Sequence, residues 1–297
     1  VILAKSTLGE DEKGFVLKQV DEWAANGFRN IALACRINDN SAIAEDGYTD
    51  LGFAAITDPL REGVKEALRT AEEAGIEVVM VTGDHPNTAF YIARELGIAI
   101  SKDEIIDGVA IAHWMERGAP KEEIAHKRVF ARVSPQQKQL IVKTFQELGH
   151  FVAVTGDGVN DAPALKFANI GIAMGKSGTE AAKESSEFVL TDDNFASIVS
   201  AIKEGRKVYD NIKKVISWTL PTNAAEAPVI IVAIFFGMVM PITPIQILWA
   251  NMITAITLGI ALAFEDEDKN IMKRSPRAID EPLLSRDLIW HIIYVTF

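Results

Sequence analysis

The first 214 residues alternate between short apolar segments, which predict strands, and apolar residues at helical spacing, which predict helices. From Leu51 onward each predicted strand is an apolar run, as expected when helices cover both faces of a parallel sheet. The pattern therefore predicts an α/β domain on a parallel sheet. The predicted strands are 30–36, 51–56, 77–81, 129–132, 151–155, 170–173 and 188–190, and the predicted helices are 11–26, 61–74, 86–96, 136–148 and 162–168.

A charged helical stretch over residues 195–214 continues without a helix-breaking residue into a long apolar region. Residues 215–264 contain a single charged side chain, that of Glu226. The apolar segments 215–239 and 244–264 are each long enough to cross a hydrocarbon core of about 30 Å at about 1.5 Å per residue. The sequence thus predicts an α-helical transmembrane hairpin, and a third span begins near Leu288.

Basic residues lie at both open ends of this hairpin, and its connecting turn has no charge. Because basic residues favour the cytoplasmic side, we expect a multi-pass protein of the cell membrane with residues 1–214 in the cytoplasm. The basic residues are Lys213, Lys214, Lys269, Lys273, Arg274, Arg277 and Arg286.

The formal net charge of −11 argues against a basic surface for nucleic acid, so we expect no nucleic-acid partner. Cys35 is the single cysteine, which rules out an intramolecular disulfide and agrees with a reducing compartment. Both ends of the sequence lie in apolar runs, so we expect the chain to be a piece of a longer protein.

Residues 155–161, Thr-Gly-Asp-Gly-Val-Asn-Asp, lie between a predicted strand and a predicted helix. Ligands of open α/β sheets bind at the carboxyl ends of the strands. The oxygens of Asp157, Asn160 and Asp161 suit a hard cation such as Mg²⁺, and Gly156 and Gly158 let the backbone approach a phosphate. The alternative is a simple turn rich in Asp and Gly.

A second Thr-Gly-Asp, formed by Thr82, Gly83 and Asp84, also follows a predicted strand. The Thr82 hydroxyl and the backbone N–H groups could bind a phosphoryl oxygen, although Asp84 could simply cap the next helix. Lys138 lies near the start of another predicted helix and could offset charge in a phosphoryl transition state. Taken alone it would be a solvated surface lysine, so its assignment depends on the other two motifs.

Polar side chains interrupt both predicted spans at matching spacing. Asn223 and Glu226 share a face of the first span, and Asn251 and Thr254 share a face of the second. Asn and Thr could serve helix–helix hydrogen bonding, but a carboxylate inside a membrane indicates a functional site. We therefore predict that these four residues bind a cation.

The motifs at 82–84 and 155–165, the Ala131-Arg132-Val133 segment with Pro135 and Lys138, and residues 171–175 together resemble P-type cation-transporting ATPases. The resemblance covers essentially the whole chain, and residues 266–277 resemble the loop after the sixth transmembrane helix of calcium and sodium–potassium pumps. It implies a haloacid-dehalogenase-like α/β domain, Mg²⁺ as cofactor, ATP as substrate and a transported cation, with Ca²⁺ as the first candidate.

The resemblance also implies a domain order. Residues 1–45 would end the nucleotide-binding domain, with Arg36 contacting nucleotide phosphate, and residues 46–195 would form the phosphorylation domain. A stalk helix at 196–214 would precede two transmembrane helices at 215–264, a cytoplasmic loop at 265–287 and a third span from 288. Asp157 would bind Mg²⁺, supported by Asn160 and Asp161.

The sequence departs from that family at two points. The phosphorylated Asp of an Asp-Lys-Thr-Gly-Thr motif is absent, so we expect it in an N-terminal part of the same pump and expect this chain alone to be inactive. Ala255 stands where calcium and sodium–potassium pumps have an Asp, which leaves ion identity and stoichiometry open. A membrane-anchored phosphatase of the same superfamily and a non-catalytic regulatory protein are the alternatives.

Overall fold

The computed structural model describes residues 2–36, 47–57, 59–118, 120–263 and 265–296. The predicted boundary between residues 45 and 46 lies outside the described residues. The chain forms two compact units, one of Val1–Glu72 with Glu77–Ser197 and one of Glu73–Ile76 with Ile198–Phe297.

The first unit begins with helix α1 (Glu10–Ala25) and strands β1 (Arg29–Cys35) and β2 (Thr49–Ile56). The strands pair antiparallel, from Arg29 opposite Ile56 to Cys35 opposite Thr49. The prediction that residues 51–56 open the parallel series was therefore wrong. An apolar run of residues does not by itself specify whether the strand pairs parallel or antiparallel with its neighbour.

Two three-stranded parallel sheets form the rest of this unit in the described part of the chain. The first has the order β3-β5-β4, and the second has the order β6-β7-β8. This arrangement confirms the prediction of a parallel α/β domain, although its strands form two hydrogen-bonded sheets and not one. The strands are β3 (Met80–Val81), β4 (Ile105–Asp107), β5 (Val129–Ala131), β6 (Ala153–Gly156), β7 (Ile170–Met174) and β8 (Phe188–Leu190).

Helices connect these strands and bury β5. The three residues of β5 are fully buried, and the Phe130 ring packs edge-on against Phe145 with centroids 6.4 Å apart. This core fixes the strand ends from which the candidate site projects. The helices are α2 (Val64–Glu73), α3 (Pro86–Leu96), α4 (Gly108–Glu116), α5 (Glu122–Ala125), α6 (Pro135–Glu147), α7 (Ala162–Phe167) and α8 (Glu180–Glu184), with 3₁₀ turns at Leu3–Lys5, Lys102–Glu104 and Val159–Asp161.

The second unit is dominated by α9 (Phe195–Phe235), α10 (Pro244–Ala263) and α11 (Arg286–Thr296). By length and composition, α9 and the Pro244–Leu262 part of α10 could each cross a membrane. α9 continues through two prolines, and none of the most apolar stretch of α10 is buried within the chain. The predicted helical hairpin after the α/β domain is therefore present.

The segment between α10 and α11 is attached to the polar part of α9. The Arg206 guanidinium donates to the carbonyl oxygens of Ile271 (2.8 Å), Arg274 (2.7 Å) and Ala74 (3.0 Å). The Arg277 guanidinium lies 3.4 Å from the centre of the Tyr209 ring. One arginine therefore satisfies three backbone carbonyls and ties the segment to the helix.

Candidate functional site

The loop after β6 is organised around Asp161. One carboxylate oxygen of Asp161 accepts hydrogen bonds from the N–H groups of Asp157 (3.3 Å) and Gly158 (3.1 Å). A Cβ at Gly156 would lie 2.5 Å from that of Asp161, so only glycine allows this approach. Asp161 thus folds the loop back on the end of its own strand.

Lys138 is the side-chain partner of Asp161. Ser134 caps α6 by accepting the N–H of Gln137, which places Lys138 in the first turns of that helix. The Lys138 ammonium lies 2.6 Å from the other carboxylate oxygen of Asp161, and the two side chains are 21% and 13% exposed. Two predicted site residues 23 positions apart are therefore brought into contact.

The residues of this loop fit a Mg²⁺ ion. Asp157 and Asn160 are exposed, and within the described chain their side chains make no hydrogen bond or ion pair. Asp161 is already held by Lys138 and the backbone, so Asp157 is the available carboxylate. The described residues contain no group of three or more His, Cys, Asp or Glu side chains suited to a metal. One carboxylate with water and phosphate oxygens is a common Mg²⁺ environment.

The Thr82–Asp84 loop is held by its own hydrogen bonds and by the residue that follows β5. The Thr82 hydroxyl donates to the Asp84 carboxylate (3.0 Å) and accepts the Asp84 N–H (3.1 Å). The backbone N–H of Arg132 donates to the Asp84 carbonyl (3.1 Å), and Arg132 has a positive φ of 49°. In the described residues no hydrogen bond or ion pair joins this loop to residues 155–161.

Burial and the neighbouring Arg132 lower the pKa of His85, the residue after this loop, while Asp21 opposes them. Its ring nitrogen caps α3 by accepting the N–H of Asn87 (3.3 Å). The neutral ring is therefore the form that the folded chain favours.

Arg36, the predicted nucleotide contact, is exposed one residue after β1. It directly follows a strand of the antiparallel pair and lies outside the two parallel sheets. Its role stays a prediction.

Between α9 and α10, the amide nitrogen of Asn251 donates to the Glu226 carboxylate at 3.3 Å. Two of the four predicted cation ligands therefore meet across α9 and α10. Thr254 is partly buried, whereas Asn223 is exposed. The structure thus joins one polar residue from each helix, and the roles of all four stay predictions.

Sequence reasoning missed one group of contacts beside the candidate site. Residues 175–179, here called the β7 loop, follow β7 and contact both Asp157 and Asp193 through the backbone. The available signal was the adjacent pair Asp192 and Asp193 between β8 and α9. A loop-to-loop contact leaves no periodic pattern, so the pair resembles an ordinary turn.

Comparison with known proteins agrees with this architecture. Residues 5–169 match the family described as haloacid dehalogenase-like hydrolase. Residues 239–297 match the family described as cation transporting ATPase, C-terminus.

Curated relatives match nearly the whole chain. It is 44% identical over 292 residues to a cation-transporting ATPase, pma1, of a Synechocystis species, covering 96% of this chain and 32% of the relative. It is 44% identical over 279 residues to a calcium-transporting ATPase of Bacillus subtilis, covering 91% of this chain and 31% of the relative. A probable cation-transporting ATPase F of Mycobacterium tuberculosis is 49% identical over 249 residues, which are 82% of this chain and 27% of the relative.

The chain spans about a third of the length of these relatives. The hydrolase match precedes the cation-transporting ATPase match, and the latter covers α10 and α11. The chain therefore belongs to the haloacid dehalogenase-like hydrolases and, within them, to the P-type cation-transporting ATPases.

Proposed function

We propose that the longer protein carrying this chain is an ATP-driven pump that couples formation and hydrolysis of an aspartyl phosphate to cation transport across a membrane. The observation that carries this proposal is the contact between Glu226 and Asn251. A carboxylate and an amide meet between two apolar helices of a chain that also contains the hydrolase loops. A membrane-anchored phosphatase has no need of such a pair.

In the hydrolase unit, Asp157 would hold Mg²⁺, and the bound ion would offset negative charge on the transferring phosphoryl group. Asp161 and Lys138 keep the loop folded so that the Asp157 carboxylate faces solvent. Lys138 also supplies a positive charge beside the loop. The Gly83 N–H would donate to a phosphoryl oxygen, and so would the Thr82 hydroxyl after giving up its hydrogen bond to Asp84. ATP is the proposed phosphoryl donor, and Asp84 and Arg36 have supporting roles at the phosphate and the nucleotide.

In the membrane hairpin, Glu226 supplies one carboxylate, and Asn223, Asn251 and Thr254 supply neutral oxygens. Pro221 and Pro228 lie inside α9, where they free backbone carbonyls for an ion. This set of oxygens suits a hard cation, and Ca²⁺ is our first candidate because several relatives are named calcium-transporting ATPases. With Ala255 in place of a second carboxylate, we expect less charge bound per cycle than in a two-calcium pump.

The test is Glu226→Gln in the longer protein, with ATPase activity titrated against Ca²⁺, Mn²⁺, Na⁺ and K⁺. We expect cation-stimulated activity to be lost or its cation dependence to shift at least tenfold, because the only charged side chain among the four proposed ligands of this chain is neutralised. Phosphorylation from inorganic phosphate should persist, since the hydrolase unit is unchanged.

Thr257→Val is the matched control, because the exposed Thr257 hydroxyl donates only to backbone carbonyls of its own helix, those of Ile253 (2.8 Å) and Thr254 (3.2 Å), and is not a proposed ligand. It should keep the wild-type cation dependence. Identical cation dependence in wild type and Glu226→Gln would show that Glu226 is not a ligand, and would favour the anchored phosphatase.

A further inference from the structure

Asp193 is a buried carboxylate that holds the β7 loop. It lies between β8 and α9, is 5% exposed and has a positive φ of 56°. One of its carboxylate oxygens accepts the N–H of Lys176 (2.9 Å), and the other accepts the N–H of Ser177 (2.8 Å). Both oxygens are therefore committed to neighbouring backbone groups of a loop whose side chains at these positions are exposed.

The other end of the β7 loop is attached to the candidate Mg²⁺ ligand. The N–H of Thr179 donates to the backbone carbonyl of Asp157 (2.8 Å), and the Thr179 hydroxyl caps α8. Between these ends the loop is tightly packed. A Cβ at Gly178 would lie 1.8 Å from the carbonyl oxygen of Met174. Ser177, which is bonded to Asp193, is thus only two residues along the chain from Thr179, which is bonded to Asp157.

The position of Asp193 is itself fixed, because the side chain of Arg61 donates to its carbonyl oxygen. The N–H of Lys176, followed by that of Ser177, lowers the pKa of Asp193 to about 2, although burial opposes them. The carboxylate is therefore ionised at neutral pH and acts as a permanent acceptor, not as a proton donor.

We propose that Asp193 is a positioning residue: by holding the N–H groups of Lys176 and Ser177 it keeps the β7 loop, and through Thr179 the backbone of Asp157, in the geometry that binds Mg²⁺. This inference rests on the proposed function, in which Asp157 holds that ion. Asp193 touches neither the ion nor the substrate, so its effect is on Mg²⁺ affinity more than on the maximal reaction.

The experiment compares Asp193→Asn and Asp193→Gly with Asp192→Asn in the longer protein. Glycine adopts positive φ without strain, so Asp193→Gly removes the carboxylate and keeps the backbone. Asp192 is the matched control, because its exposed carboxylate accepts from the Ser197 hydroxyl and the Asn194 N–H (3.1 Å) and not from the β7 loop.

Two readouts are needed. Hydrogen exchange without Mg²⁺ should show faster exchange in peptides covering residues 174–180 and 153–158 for both Asp193 variants and not for Asp192→Asn. The Mg²⁺ concentration for half-maximal phosphoenzyme from ATP should rise about tenfold, as is typical when a group supporting a metal ligand is removed. The maximal level at saturating Mg²⁺ should stay within about twofold.

Unchanged exchange in both segments, or a lower phosphoenzyme level at an unchanged Mg²⁺ requirement, would overturn the inference, since a merely structural residue would reduce only the active fraction. If wild type forms no phosphoenzyme, the proposed function fails instead. The exchange data then still decide whether Asp193 holds the loop.

Discussion

The ion pair between Lys138 and Asp161 should contribute measurably to the order of the β6 loop, and a double-mutant cycle of Lys138→Met and Asp161→Asn tests this. Coulomb's law gives an attraction of about 6 kcal/mol for a separation of 2.6 Å at an effective dielectric constant of about 20. Desolvation of two charges that are about four-fifths buried offsets most of it. We expect a coupling free energy of about 1–3 kcal/mol.

Hydrogen exchange of the amides of Asp157 and Gly158 is the suitable assay, because both donate to Asp161. A coupling of about 1–3 kcal/mol corresponds to roughly 5- to 150-fold non-additivity in their protection. The control cycle uses Lys183 and Glu180, an ion pair of 3.0 Å whose glutamate is 84% exposed. Its coupling should stay below about 0.5 kcal/mol.

Additive effects of the two substitutions at Lys138 and Asp161, within the range of the control pair, would refute this reasoning. They would mean that the backbone N–H groups alone hold Asp161.

Three further predictions concern other parts of the structure. Folding lowers the pKa of His85, so as the pH falls the unfolded chain takes up a proton before the folded chain does, and stability should fall below about pH 6.5. His85→Asn can still cap α3 but cannot take up that proton, so the difference in stability between pH 8 and pH 5.5, measured by urea unfolding, should be smaller than in wild type. Gly178→Ala should lower the melting temperature, because its Cβ would clash with the carbonyl oxygen of Met174. Gly205→Ala lies in an open position inside α9 and should stabilise the helix by about 0.5–1 kcal/mol. Equal changes in melting temperature for the two variants would contradict the tight packing of the β7 loop. Arg206→Lys should increase proteolysis of the segment between α10 and α11, because an ammonium cannot reproduce a planar guanidinium bonded to three carbonyls, and Lys207→Met should not.

The long and strongly periodic elements could be predicted from the sequence. The α3 helix was predicted with its exact ends, and α9 was predicted to run unbroken into the apolar region. Among the α-helices and strands of the described residues, four were missed: β4, α4, α5 and α8. The strand β4 has three residues, and the apolar residues of α4 do not form a clear stripe, so neither has a recognisable period.

The composition of the candidate site was more predictable than its contacts. The first Thr-Gly-Asp motif follows β3, and the second begins in the last two residues of β6, as expected from the apolar runs before them. The sequence did not indicate that Asp161 would fold its own loop and take Lys138 as its partner. Neither did it indicate Asp193, because contacts between loops depend on how strands are ordered in space and not on local spacing.

ATP-driven cation uptake into inside-out membrane vesicles containing the longer protein tests the central claim most directly. Wild type, Asp157→Asn and Glu226→Gln would be compared for radioactive Ca²⁺, Mn²⁺ and Na⁺, with Thr257→Val as control. We predict that wild type and Thr257→Val accumulate one of these cations, that Asp157→Asn accumulates none, and that Glu226→Gln loses at least nine-tenths of the uptake. Phosphate-ester hydrolysis without uptake of any cation by wild type, unaffected by Glu226→Gln, would contradict the account.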